Sequence, residues 1–282
     1  MIICKLSGGI GNQLFQYFNA LSISKATNRK IYLDISSFKN TCDHSGYQLD
    51  KYGVEDPILP NTICNLSNLL FRIVNKFFKK KLSYYLLQEN FNYEPIDFNH
   101  LLIHLDGTFQ SQLFFSNIFP IADEFLSLEV DEKCKNLALE IDSLNSISIH
   151  IRRGDYVNNE VVRKFIGPCS LEYYQNAIKY MEEKFNFLKF YIFTDDVDWV
   201  KKNIRFNSCY EYVDFNCFER SHFDISLMRK CKHNIISNSS FSWMGAWKPG
   251  QNHIVICPSP WFNDSSIDTS DICPKEWIRF NK

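Results

Sequence analysis

The chain has 282 residues, of which 45% are hydrophobic and 22% charged, a composition typical of a globular protein with one or two buried cores. Its formal net charge of -1 excludes a strongly basic surface that would recruit nucleic acid. Ten scattered cysteines without a C-x-x-C pair, several inside apolar runs, indicate buried free thiols in a reducing, cytoplasmic setting rather than a disulfide framework.

The first half opens with an apolar strand at residues 2–6 and a Gly-rich turn at 7–12. A helix follows at about 13–27, where apolar side chains recur at helical spacing, and then a second strand at 30–35. Residues 40–100 have little periodicity, and we expect irregular structure with some helices there. The order of strand, turn, helix and strand is typical of the start of an α/β unit.

In the second half, strands and helices alternate clearly, which predicts a parallel sheet covered on both faces. Ser170 is placed to cap the first of these helices. We therefore predict an α/β fold with two Rossmann-like domains, at 1–143 and 144–282. The strands are predicted at 147–151, 189–194, 210–213, 234–237 and 253–257, and the helices at 170–184, 196–203, 222–231 and 241–247.

The N-terminal turn contains the first candidate binding groups. Gly9 and Gly11 would let backbone N–H groups approach an anion at the start of the helix. With Asp34 at the end of the next strand, the pattern half-matches a dinucleotide fingerprint, but Leu14 stands where the third glycine belongs. A structural tight turn fits the pattern equally well.

The second candidate follows the strand at 147–151, at the end where ligands bind parallel sheets. His150 is followed there by Arg152 and Arg153, and adjacent arginines in extended chain point to opposite sides. One guanidinium can hold a phosphate with two hydrogen bonds while the other pairs with Asp155 or faces the edge of the core. A purely structural Arg–Asp pair is the alternative, but an arginine pair beside a histidine favours function.

Two polar turns remain ambiguous on their own. Ser239 and Ser240 begin a helix, where they can bind phosphate or simply cap the helix. The run Asp195, Asp196 and Asp198 follows another strand and could hold a divalent cation on a diphosphate. The spacing of the first and last of these acids also fits an N-cap and its capping-box partner. We prefer the capping interpretation and predict no metal site.

A basic stretch at 65–87 mixes lysine and arginine with Leu, Phe and Ile and contains no acid. Such a stretch can dock on the inner face of a membrane, although a surface helix with a solvated charged face is the preferred interpretation. No apolar run of the chain approaches the roughly 20 residues that cross a bilayer.

Taken in order, three segments resemble the signatures of α-1,2-fucosyltransferases of glycosyltransferase family eleven. They are GGIGNQLFQY at 8–17, HIRRGDY at 150–156 and SNSSFSWMGAW at 237–247. The resemblance covers most of the chain and is weakest at 55–95, and Met244 replaces a usual aromatic. It implies a GT-B-like arrangement, with two facing Rossmann-like domains and a cleft between them. The N-terminal domain would lie on the acceptor side, and the C-terminal domain would bind GDP-fucose.

The resemblance also implies the reaction, which is inverting, metal-independent transfer of L-fucose from GDP-fucose to the 2-hydroxyl of a galactosyl glycan, without a cofactor. A lipid-linked oligosaccharide of a bacterial surface-glycan pathway, a free lactose-type sugar and N-acetyllactosamine all fit as the acceptor. Arg152 would contact the β-phosphate, His150 the nucleoside, and Asp224 the two guanine N–H groups. The serines of the third segment would lie near the pyrophosphate, and Asn12 would reach the reaction centre. The predicted donor-binding residues are His150, Arg152, Arg153, Asp224, Ser239, Ser240, Phe241, Gly9, Gly11 and Asn12.

Catalysis would then rest on Arg152 and Asn12, with Asp155 and Glu160 as candidate bases for the acceptor hydroxyl. Two other classes of protein stay open. An NAD(P)-linked oxidoreductase would use the N-terminal glycine turn and Asp34, but it leaves the arginine pair unexplained. A non-catalytic module that binds a nucleotide sugar is the other alternative.

Overall fold

The computed structural model describes residues 1–38, 46–60, 83–88, 91–128, 130–216, 220–264 and 266–282. These residues form two compact units. Unit 1 comprises Met1–Ala122 with Ser270–Ile272, and unit 2 comprises Asp123–Thr269 with Cys273–Lys282. Each unit contains a parallel sheet with helices, so the α/β class with two Rossmann-like domains is confirmed.

The sheet of unit 1 has the order β2-β1-β4-β3 in the described residues, and every pairing is parallel. Its strands are β1 (Ile2–Lys5), β2 (Ile31–Asp34), β3 (Ser83–Leu87) and β4 (Leu102–Asp106). The first two confirm the predicted strands, whereas β3 lies in the stretch that we expected to be irregular. Most of the predicted basic segment, 65–82, lies outside the described residues.

Helix α1 (Ile10–Thr27) lies almost wholly inside unit 1 and begins three residues before the predicted start. It packs on the 3-10 helix Gln112–Ile118, where the ring of Phe115 lies 5.4 Å from Phe18 and 6.1 Å from Phe15. This packing explains why the helix shows so little separation of polar and apolar faces. Two of its buried polar side chains support the neighbouring loops: Gln13 donates to the carbonyls of Gly8 and Gly46, and Gln16 donates to the carbonyl of Gly107.

The sheet of unit 2 has the order β10-β9-β8-β5-β6-β7 in the described residues and is again parallel throughout. Strand β5 lies inside this sheet, and its residues from Ser146 to Ile151 are all buried, as expected when helices cover both faces. The strands are β5 (Asn145–Ile151), β6 (Leu188–Thr194), β7 (Cys209–Tyr212), β8 (His233–Ile235), β9 (Val255–Ser259) and β10 (Ile278–Asn281).

The described helices that follow α1 agree with the predicted ones wherever a prediction was made, and Ser170 caps α6 as predicted through a hydrogen bond from Tyr173 N–H. They are α2 (Phe119–Leu126), α3 (Glu132–Ser143), α4 (Gly154–Asn158), α5 (Glu160–Phe165), α6 (Leu171–Lys184), α7 (Val197–Asn203), α8 (Ser221–Lys230) and α9 (Ser240–Ala246).

The chain passes from unit 1 to unit 2 between Ala122 and Asp123, before the predicted boundary at 143 and 144. The reason is α3, which packs on β5 and α8 and therefore belongs to unit 2.

None of the described helices is long and apolar enough to cross a membrane. The described cysteines are free thiols, as predicted, and all of them except Cys209 are buried.

Candidate functional site

The carboxyl end of β5 holds the first arginine of the predicted pair between two carboxylates. Nη1 of Arg152 lies 2.9 Å from Oδ2 of Asp195, and Nη2 lies 2.8 Å from Oδ1 of Asp155. Nε donates to the same Asp155 oxygen across 3.0 Å. The acids fix the orientation of a guanidinium that is still partly exposed.

The second arginine lies beside other partners. Nε of Arg153 is 3.1 Å from Oδ2 of Asp196, and the guanidinium lies 3.8 Å from the centre of the Trp199 ring. Its two Nη groups have no acceptor among the described residues. Both arginines are therefore held by acids, whereas the sequence predicted an acid for only one of them. Arg152 is the one that pairs with Asp155.

The acids after β6 are arranged differently from the predicted capping box. Asp196, not Asp195, caps α7, because its Oδ1 accepts the N–H of Trp199 across 3.1 Å. The carboxylate of Asp195 is turned towards the arginines instead, and Asp198 is exposed in the first helical turn. Across the described part of the chain, no group of three or more His, Cys, Asp or Glu side chains is arranged to hold a metal ion.

His150 is buried at the same strand end. Its Nδ1 lies 2.9 Å from Oγ of Ser237, whose Oγ lies 3.3 Å from Oγ of Ser242. Burial and the positive charge of Arg152 lower the pKa of His150 to about 3. The imidazole is therefore neutral near pH 7 and contributes hydrogen bonding rather than charge. Its ring also contacts Phe241, with 5.4 Å between the ring centres.

The serine turn before α9 lies beside this histidine. Ser239 is the N-cap residue of the helix, but its side chain makes no capping hydrogen bond, so the alternative of ordinary capping is not supported. The turn is fixed instead by Asn238, whose Nδ2 donates to the carbonyls of Gly167 and Trp261, each across 2.9 Å. The hydroxyl of Tyr156 donates to the Asn238 carbonyl across 3.2 Å.

Asp224 lies in the first turn of α8, a helix that in a parallel α/β unit begins at the ligand-binding edge of the sheet. Its Oδ1 accepts a 2.7 Å hydrogen bond from Nδ2 of Asn216. Burial raises the pKa of Asp224 to about 7, although the Asn216 hydrogen bond and the charge of Arg220 act in the opposite direction. Asn216 was not singled out from the sequence.

The two candidate bases differ in position. Oδ1 of Asp155 is taken by Arg152, within the arginine cluster. Glu160 lies at the exposed start of α5, where its carboxylate is 2.7 Å from Nζ of Lys164. The structure thus brings Asp155 to the arginines and leaves Glu160 in an exposed ion pair.

In unit 1, the glycine turn between β1 and α1 is built around Gly8, whose φ is +72°. A Cβ at this position would lie 2.5 Å from Nδ2 of Asn12. Gly9 is the extended N-cap residue of α1, and Gly11 is buried in the first turn. Gln110, which was not predicted, donates from Nε2 to Oδ1 of Asn12 across 2.8 Å.

Asp34, the acid of the oxidoreductase alternative, is fully buried at the end of β2. Its Oδ1 accepts the backbone N–H of Ser36 across 2.9 Å. A ribose-binding acid has to face the ligand. The burial of Asp34 therefore argues against a dinucleotide site in unit 1.

The family model described as "Glycosyl transferase family 11" matches residues 1–281. The chain belongs to this family. In this glycosyltransferase-family protein, the arginine pair lies at the carboxyl end of a parallel strand, β5.

Three relatives extend this finding. The chain is 34% identical to an alpha-1,2-colitosyltransferase of Escherichia coli, over 100% of this chain and 99% of that protein. It is 31% identical to the O-antigen biosynthesis glycosyltransferase WbnK of Escherichia coli, over 97% of this chain and 98% of that protein. It is 27% identical to a galactoside 2-alpha-L-fucosyltransferase of Caenorhabditis elegans, over 86% of this chain and 62% of that protein.

Proposed function

We propose that this protein transfers L-fucose from GDP-fucose to the 2-hydroxyl of a galactosyl glycan, with inversion at the anomeric carbon. Membership of family 11 and the names of two relatives support sugar transfer to a 2-position. The observation that carries the proposal is the guanidinium of Arg152, fixed by two acids at the carboxyl end of β5. Unit 2 would bind the donor, and unit 1 would lie on the acceptor side.

Arg152 would stabilise the leaving group. As the bond between the anomeric carbon and the β-phosphate oxygen breaks, its electron pair stays with GDP, and negative charge grows on the diphosphate. A fixed guanidinium lowers the energy of this charge without reorganising during the reaction. The neutral His150 and the serine turn would add hydrogen bonds to the nucleotide.

Inversion requires the acceptor hydroxyl to attack from the face opposite GDP while its proton leaves. Asp155 is one candidate base, because only its Oδ1 contacts Arg152. Glu160 is the second candidate, since its ion pair with Lys164 is exposed and easily broken. A strongly dissociative transition state would reduce the demand on either group.

We further propose that the reaction needs no metal ion, because the guanidinium and oriented N–H groups can supply the charge that a cation supplies elsewhere. Transfer measured after treatment with EDTA should equal transfer in the untreated protein. Loss of activity that manganese restores would instead make Asp195, Asp196 and Asp198 candidate ligands and contradict this part of the proposal.

GDP-colitose is a second candidate donor, because one relative is named for colitose. Colitose is L-fucose without its 3-hydroxyl group, so the two GDP sugars differ by one hydrogen-bonding group. A site that binds this hydroxyl would discriminate strongly against the deoxy sugar, whereas an apolar site would accept both.

The decisive experiment is a donor panel with a galactoside acceptor, followed by NMR of the product linkage. GDP-fucose should give an α-1,2 product, and GDP-colitose and GDP-mannose test the sugar specificity. Calorimetry with GDP and NAD separates the remaining classes. Binding of GDP without transfer to any acceptor of the panel would favour a non-catalytic module, and binding of NAD alone would favour the oxidoreductase.

The name of the O-antigen relative supports a surface glycan as the acceptor, and with it a cytoplasmic enzyme that works at the inner face of the membrane. Cell fractionation tests this location. Recovery of the protein in the cytosolic and peripheral membrane fractions would support it, whereas release into the medium would contradict it.

A further inference from the structure

One carboxylate contacts both arginines of the site. Oδ2 of Asp195 lies 2.9 Å from Nη1 of Arg152, and Oδ1 accepts the backbone N–H of Arg153 across 2.8 Å. The register of the sheet explains this proximity, because Ile151 of β5 lies opposite Thr194 of β6. The next residues of the two strands are therefore neighbours.

The turn after the arginines is shaped around the same carboxylate. A Cβ on Gly154 would lie 2.7 Å from Oδ2 of Asp195, which is closer than real Cβ atoms approach an oxygen. Gly154 has no positive φ that would require a glycine. The space above this glycine is the space that the carboxylate occupies.

The contacts leave part of Arg152 free for a ligand. Of the five N–H groups of the guanidinium, the one on Nε donates to Oδ1 of Asp155, whereas Nη2 and Nη1 make ion-pair contacts with Asp155 and Asp195. The N–H groups on the two Nη atoms donate to no acceptor among the described residues. Asp155 lies only three residues along the chain from Arg152. Asp195 follows a different strand, β6, and therefore anchors Arg152 to the neighbouring strand.

We propose that Asp195 is the positioning residue of this site. Its carboxylate fixes the guanidinium of Arg152 and the backbone of Arg153 in the geometry that holds the donor diphosphate. This inference rests on the proposed function. In this role Asp195 neither binds a metal ion nor caps α7. Its removal would act by changing the orientation of the Arg152 guanidinium, not by the loss of a charge. A misplacement of about 1 Å can cost about 100-fold in rate.

The test compares Asp195→Asn with the wild-type protein by calorimetry with GDP and by kinetics with GDP-fucose. Asparagine can still accept the Arg153 N–H, but its NH₂ group faces Arg152 without attracting it. We expect GDP affinity and kcat/KM to fall about 10- to 100-fold with an unchanged unfolding midpoint. Asp198→Asn is the matched control, because this exposed acid three residues further on has no described partner, and it should leave both quantities unchanged.

A double-mutant cycle with Arg152→Lys separates positioning from a general structural effect. If Asp195 acts through Arg152, the two substitutions together should cost little more than Arg152→Lys alone. Additive losses, or an Asp195→Asn variant that binds GDP and transfers sugar like the wild type, would overturn the inference while leaving the proposed function intact. A wild-type protein that binds no GDP would overturn both.

Gly154→Ala perturbs the same contact without changing any charge. The added methyl group has to displace the Asp195 carboxylate, whereas alanine favours the helix α4 that begins at this residue. We expect the variant to fold and to lose GDP affinity in the same direction as Asp195→Asn. This second variant decides the question if Asp195→Asn does not fold, and wild-type GDP affinity in a folded Gly154→Ala protein would contradict the inference.

Discussion

Gln110 donates a hydrogen bond from its Nε2 to Oδ1 of Asn12 across 2.8 Å, so it fixes which end of the Asn12 amide is turned towards Gly8. The Nδ2 group of Asn12 is left as a donor over the glycine. Gln110 is itself nearly buried, and its Oε1 has no partner among the described residues. The amide pair therefore presents one defined donor at the carboxyl end of the sheet of unit 1.

We expect Gln110→Met to reduce kcat/KM about tenfold. An Asn12 amide that is no longer fixed would lose its hydrogen bond to the substrate, which is worth about 1.4 kcal/mol. Methionine keeps the volume and removes a buried acceptor without a described partner, so the free energy of unfolding should change by less than about 1 kcal/mol. Kinetics with GDP-fucose and urea unfolding measure the two quantities. A large loss of stability with full activity in the folded fraction would show that Gln110 is only structural.

Substitution of Gly8 tests the turn below Asn12. Gly8→Ala should lower the free energy of unfolding by about 1–3 kcal/mol, because its φ is +72° and the new Cβ would meet Nδ2 of Asn12. Gly53→Ala is the matched control, since its φ is +71° and no atom lies within 4 Å of its Cβ position. The control should lose stability and keep its activity, whereas Gly8→Ala should lose both. Equal activity of the two variants would contradict a role for the Asn12 amide.

The raised pKa of Asp224, about 7, predicts a pH dependence of donor binding. If the ionised carboxylate accepts the guanine N–H groups, affinity for GDP-fucose should rise through pH 7 and be about tenfold weaker at pH 6 than on the plateau above pH 8. GDP-fucose suits this titration because its diphosphate, esterified at both ends, does not titrate in this range. Asp224→Asn should flatten the profile, and a flat profile in the wild type would contradict the assignment.

The same group affects stability with the opposite sign. The folded-state pKa of Asp224 lies above its unfolded value of about 3.9, so folding favours the protonated form. Its contribution to stability is complete below about pH 4 and is lost as the pH rises through about 7. The difference in unfolding free energy between the wild type and Asp224→Asn should therefore shift in favour of the variant over this pH range. Urea unfolding at pH 5 and pH 8 measures the shift.

The sequence predicted the fold of unit 2 well because its buried parallel strands are apolar runs bounded by turns, as in β5 and β6. It failed at β10, an edge strand whose residues alternate between partly buried and exposed positions and form no apolar run. It also failed at β3, which is paired only with β4 in the described residues and lies in a stretch without periodicity. A strand without an apolar run is recognised only by its pairing with a neighbour, which local patterns do not reveal.

The site residues show the same limit. Local spacing identified the arginine pair, because two cations after a buried strand are unusual wherever that strand lies. It assigned the cap of α7 to Asp195, which is wrong: Asp196 caps the helix, and Asp195 is drawn away by arginines of a different strand. Gln110 was missed because its partner Asn12 is distant in sequence and the contact depends on how β4 and β1 pair.

The central claim is that Arg152 absorbs the charge of the departing nucleotide, and the turnover number of Arg152→Ala with saturating GDP-fucose tests it most directly. We expect kcat to fall at least about 100-fold, equivalent to about 3 kcal/mol of transition-state stabilisation, in a variant that unfolds at the wild-type midpoint. A folded variant with a turnover number close to that of the wild type would contradict the account.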